Sequence, residues 1–114
     1  MKDSYKKDSM LTGYLAAAIW AGLDEDRYTL DDIAYGSIMC ASREIGRFVE
    51  LAGSLLDSED PSQVGHDFWL TRNGHGAGFW DGDYEDSKGR QLTAISKGFG
   101  TSDIYVRNNK IYLT

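Results

Sequence analysis

Residues 65–82 concentrate the side chains of this chain that could do chemistry. The stretch holds both histidines, two of the three tryptophans and five of the thirteen glycines. His66, Asp67, Arg72, Asn73, His75 and Asp81 supply imidazole, carboxylate, guanidinium and amide groups, and Trp69 and Trp80 supply aromatic faces. Two histidines with a carboxylate could hold a metal ion if His66 and His75 met across a hairpin near Asp67 or Asp81. The spacing fits no zinc signature, however, because it has no cysteine pair and no H-E-x-x-H. The glycines do not form a phosphate cradle either. G-H-G-A-G is followed by Phe-Trp rather than by a helix start with Lys-Ser or Lys-Thr. Trp69, Arg72, Asn73, His75 and Trp80 could instead form a stacking platform for single-stranded bases. The charge opposes that use, since Asp67, Asp81, Asp83, Glu85 and Asp86 surround the single arginine. No serine has an evident histidine partner, so no catalytic residue is assigned. No cofactor and no metal are expected.

The elements around this stretch define its surroundings. Asp8 and Ser9 can cap a first helix, with Leu11, Leu15, Ala18 and Ile19 on one face, ending near Gly22. Residues 1–7 read as a frayed, solvated lead-in. They lack the apolar core of a signal peptide. Thr29 and Asp32 approximate a capping box for a long helix. Its stripe runs through Ile33, Ala34, Ile38, Ala41, Ile45, Phe48, Ala52, Leu55 and Leu56, and Pro61 ends it. From Gly65 the period changes. Phe68 and Leu70 alternate with Trp69 and Thr71, Gly74 to Gly78 supplies a turn, and residues 77–81 return antiparallel. Leu92, Ile95 and Phe99 have helical spacing, with Gly98 and Gly100 as stops. A second hairpin pairs residues 103–107 with 110–113 through Asn108-Asn109, which tolerates positive φ.

The expected architecture is one α+β domain over residues 1–114 in the order ααββαββ. Two N-terminal helices, a β-hairpin, a helix and a final β-hairpin would give an antiparallel sheet covered by the helices.

Of the 114 residues, 41% are hydrophobic, enough for a core without staples, and the formal net charge is −6. That charge disfavours a nucleic-acid binder acting by phosphate neutralisation and favours basic partners. The acids cluster at Asp24, Glu25 and Asp26, at Asp57, Glu59 and Asp60, and at Asp81, Asp83, Glu85 and Asp86, with Tyr84 among the last. The lone Cys40 cannot form an internal disulfide, which fits a reducing cytoplasm, and its helical apolar context reads as buried. No apolar run reaches the length of a membrane span.

The run from His66 to Asp81, HDFWLTRNGHGAGFWD, resembles the hallmark of a widespread family of small proteins of bacteriophages, prophages and plasmids. The resemblance extends more weakly over YLAAAIWAG, YTLDDIA, DPSQVGHDFW and SDIYV, and departs in the GDYEDSKGRQ loop. It implies a phage or mobile-element protein of the bacterial host cytoplasm. Such a protein is expected to act as a non-enzymatic inhibitor of a host defence system, anti-CRISPR-like or anti-restriction-like. It would bind a host protein, such as a CRISPR effector, through the three acidic loops. A single-stranded nucleic-acid-binding accessory protein is the alternative. A metal-dependent enzyme using His66, His75 and Asp81 ranks below both.

Overall fold

The computed structural model describes residues 2–75, 77–80 and 83–114, with side chains from Lys7 onward. Among these residues the chain forms α1 (Lys2–Gly22), α2 (Tyr35–Ala52), α3 (Pro61–Arg72), α4 (Asp86–Lys97), β1 (Ile104–Arg107) and β2 (Lys110–Leu113). Short 3-10 turns, Leu30–Asp32 and Gly53–Leu56, flank α2. The chain is α+β, but its order is four helices and then one hairpin. The expected ααββαββ arrangement is therefore wrong at its first hairpin, where the expected strand from Gly65 is α3. Residues 77–80 of the expected return strand lie in bends and turns. Gly76 and Asp81, the rest of that expected turn and strand, lie outside the described residues.

The local reasons are visible in the sequence. Asp60 caps α3, its carboxylate accepting from the Ser62 N–H, and Pro61 occupies the first turn where no N–H is needed. Pro61 thus starts a helix rather than merely ending one. At the other end the chain closes in a Schellman motif. The Gly74 N–H donates to the Thr71 carbonyl and the His75 N–H to the Leu70 carbonyl, with Gly74 at φ 72°. Asn73-Gly74 is therefore a helix stop, not a hairpin turn. The alternation expected for a strand is absent because α3 is buried on every side from Asp67 to Arg72.

The largest interface joins α1 to α3. Gly13 and Gly65 allow it. A Cβ on Gly13 would lie 2.0 Å from the Ser62 carbonyl oxygen, and one on Gly65 would lie 1.8 Å from that of Met10. Ala17, one turn after Gly13, is fully buried. The Met10 end of α1 meets the start of α3, while Ala21 and Gly22 lie beside Trp69 and Asn73, so the two helices run parallel. Asp8 and Ser9, expected as caps, lie inside α1, which starts six residues earlier.

The stripe Ala41, Ile45, Phe48 and Ala52 buries one face of α2. Thr29 and Asp32 pair as read, the Thr29 N–H donating to the Asp32 carboxylate at 2.9 Å. They close the 3-10 turn, however, and α2 starts at Tyr35. Phe48 stacks on Phe68 with ring centroids 4.2 Å apart, and Phe68 meets Phe99 edge-on at 5.0 Å. This aromatic core ties α2, α3 and the end of α4 together.

The C-terminal hairpin forms as read. Asn108 and Asn109 take φ 54° and 63°, the paired left-handed conformations of a two-residue turn. Ile104 pairs with Leu113 and Val106 with Ile111, all facing inward. Among the described residues, no helix is long and apolar enough to cross a membrane.

Candidate functional site

Asp67, Thr71, Arg72 and Asn73 of the 66–81 run engage the interior of the fold. Arg72 is 5% exposed and makes four hydrogen bonds. Its Nε donates to the Gly100 carbonyl at 2.8 Å and one terminal nitrogen to the Phe99 carbonyl at 3.0 Å. The other terminal nitrogen donates to the Tyr14 hydroxyl and to Glu44 Oε1, each at 2.9 Å. The guanidinium also lies over the Phe68 and Phe99 rings at 5.6 and 5.7 Å. Burial works against the charge on Arg72, but the Glu44 and Tyr14 bonds outweigh it and hold its pKa above the ordinary value. Burial pushes the Tyr14 hydroxyl up to about 12. Arg72 thus clasps α1, α2 and the turn that follows α4.

Asp67 is equally internal. Its carboxylate accepts from the Tyr84 hydroxyl at 2.7 Å and from Gln63 Nε2 at 3.1 Å to both oxygens. Burial, and then the bond to Asp67, raise the Tyr84 pKa above its ordinary value. The Thr71 hydroxyl accepts from the Phe79 N–H, and Asn73 bridges the Trp69 carbonyl to the Ser102 N–H. Phe79, Tyr84 and Asn73 therefore anchor the loop after α3 and the segment before β1.

The two histidines do not meet. They are nine residues apart along a helix and its cap, about 13 Å at 1.5 Å per residue. The cross-strand approach imagined for a metal site does not exist, and Asp81 lies outside the described residues. Among the described residues, no three His, Cys, Asp or Glu side chains converge on a metal position. His66 is half-buried against exposed Trp20, with ring centroids 5.8 Å apart, and its Nδ1 stands 3.8 Å from Asp67 Oδ1. His66 Nδ1 and Trp69 Nε1 are buried without a hydrogen-bond partner among the described residues. Of the expected stacking platform, Trp69 and Arg72 are interior and Asn73 is half-buried, leaving His75 and Trp80 exposed. Cys40, expected to be buried, is exposed on α2, with an Arg43 guanidinium nitrogen 3.3 Å from its sulfur.

The acidic loops divide into two groups. Lys88 Nζ bonds Glu59 Oε2 at 2.8 Å, which brings the 57–60 loop beside the start of α4. Asp57, Asp60, Asp83, Glu85 and Asp86 are exposed around that pair. Two of these acids also have local duties. Asp60 caps α3, and Glu85 accepts from the Ser87 and Lys88 N–H groups, which hold its pKa below the ordinary value. Asp86 lies 3.4 Å from Arg90. Tyr84 is half-buried beneath this ridge, its hydroxyl committed to Asp67. Asp24, Glu25 and Asp26 are exposed after α1, at the opposite end of the parallel α1–α3 pair, where Asp24 caps its own turn.

Sequence reasoning missed Tyr14, Glu44, Gln63 and Trp20. Only Gln63, one helical turn before Asp67, left a local signal. Comparison with protein-family models, curated proteins and solved structures gives no match.

Proposed function

We propose that this chain acts by binding rather than by catalysis, as an acidic inhibitor that occupies the basic surface of a nucleic-acid-handling host protein. One observation carries the reading. Asp67, Thr71, Arg72 and Asn73 are committed to internal partners, whereas Asp57, Asp60, Asp83 and Asp86 face solvent around the Lys88–Glu59 pair. A net charge of −6 adds long-range attraction to a groove built for phosphates. The resemblance of the 66–81 run to phage and plasmid proteins supports a partner in a host defence system, such as a CRISPR effector or a restriction complex. The host cytoplasm is the compartment this role requires.

The test is plating of a phage restricted by a defined defence system, with the chain expressed in the host. Wild-type protein is expected to restore plating, and D57K/D83K to abolish the rescue while E25K/D26K, at the far end, keeps it. Full rescue by D57K/D83K, or no rescue by the wild type against any nucleic-acid-targeting system, rejects the reading.

A further inference from the structure

The two edges of the C-terminal hairpin differ. On β2, the Ile111 carbonyl accepts from the Ala34 N–H at 2.9 Å and the Leu113 N–H donates to Ser37 Oγ at 3.1 Å. Those groups point away from β1, so the outer edge of β2 is closed. In an antiparallel pair, backbone groups alternate between partner and exterior. The Thr114 N–H donates to the Asp103 carbonyl and the Asp103 N–H to Thr114 Oγ1, while Tyr105 and Arg107 oppose Tyr112 and Lys110. The N–H and C=O groups of Ile104 and Val106 therefore face outward. Among the described residues, no hydrogen bond reaches them. The strand carries no proline and no bulge, two of the devices that blunt an edge, although at four residues it is short.

We propose that this edge pairs with the same edge of a second copy of the chain, joining the two hairpins into one four-stranded antiparallel sheet. The free groups dictate the register. Bonding Ile104 to Val106 of the second copy, and the reverse, puts the two-fold axis at Tyr105. Each Tyr105 then opposes the other. Because Tyr105 already stacks on Tyr112 with centroids 5.6 Å apart, an aromatic row of four rings runs across the outer face. The same register sets Asp103 opposite Arg107 of the second copy, twice by symmetry. The edge is thus self-complementary in hydrogen bonds, rings and charge, as an isologous interface requires.

Sedimentation equilibrium of the full chain up to about 1 mM tests this, because so small a contact gives weak association. Wild-type protein is expected to form dimers. R107E alone sets acids against each other in both copies and should weaken association about tenfold. It also places an acid opposite Lys110, so the hairpin itself is retained. D103R alone should weaken association similarly, and D103R/R107E should restore it. A mixed-label sample should show a contact between the Tyr105 Hα protons of the two copies. A wild type that stays monomeric throughout, or a dimer indifferent to R107E and lacking the Tyr105 contact, overturns the proposal. Monomers whose edge instead takes up an extended peptide overturn it equally.

Discussion

Replacing Arg72 by leucine removes the guanidinium while keeping an apolar stem over the Phe68 and Phe99 rings. Three acceptors lose their charged donor: the buried Tyr14 hydroxyl and the part-buried Phe99 and Gly100 carbonyls. The buried hydroxyl costs about 1 kcal/mol and the two carbonyls, which water partly reaches, about 0.5 kcal/mol each, about 2 kcal/mol together. The side chain of Glu44 is 35% exposed, so solvent screens the lost ion pair to on the order of 0.5–1 kcal/mol. The sum, about 3 kcal/mol, is a large part of the roughly 5–15 kcal/mol that stabilises a domain. It corresponds to a drop of about 12 °C in Tm for a chain of this length. Lysine keeps one charged donor but not the planar fork, so R72K should fall about midway. Urea unfolding followed by far-ultraviolet circular dichroism measures each loss. A cost below about 1 kcal/mol for R72L would refute the clasp. Unchanged stability with lost partner or oligonucleotide binding would make Arg72 a surface contact instead.

The α1–α3 contact predicts that G13A and G65A each lower stability by at least about 3 kcal/mol or prevent folding, because the added Cβ meets backbone. By contrast, G36A and G46A in α2, where a Cβ meets nothing, should each add about 0.4–1 kcal/mol by the same denaturation assay. Tyr14 is protonated in the fold, with its pKa raised to about 12 from 10.0. Its contribution is therefore complete below pH 10 and lost between pH 10 and 12. Tyr84, whose pKa is raised as well, loses stability over the same window, so the expected result is a fall that Y14F lessens by about 2–3 kcal/mol without removing it. Because Trp69 is interior and the charge is negative, single-stranded oligonucleotides at low salt should leave tryptophan fluorescence unquenched. Strong, salt-sensitive quenching would favour a nucleic-acid role.

What the sequence made legible was local. Asn108-Asn109 names its own turn, and the strands beside it alternate because one face is buried. The α2 stripe shows a 3.6-residue period because its other face meets solvent. Leu92 with Gly98 marks α4 in the same way. α3 was illegible by the same logic: a helix buried on every side shows no stripe, and Phe68-Trp69-Leu70-Thr71 reads equally well as a strand. Its true signals were Asp60-Pro61-Ser62-Gln63 at the start and Asn73-Gly74 at the end, each of which also fits a turn. The acidic ridge was legible as composition, but the Lys88–Glu59 pair that divides it from the 24–26 loop was not. The partners of Arg72 lie at positions 14, 44, 99 and 100, on elements that meet it only in the folded chain. No spacing rule reaches that far.

Backbone NMR of residues 61–80 tests most directly whether Pro61–His75 is an interior helix and its cap rather than the start of an exposed hairpin. Helical Cα shifts and sequential amide contacts through Arg72, with an Arg72 Nε–H slow to exchange with solvent, are the predicted result. Strand-type shifts over 67–71, cross-strand contacts to 77–80 and a freely exchanging Nε–H would contradict it.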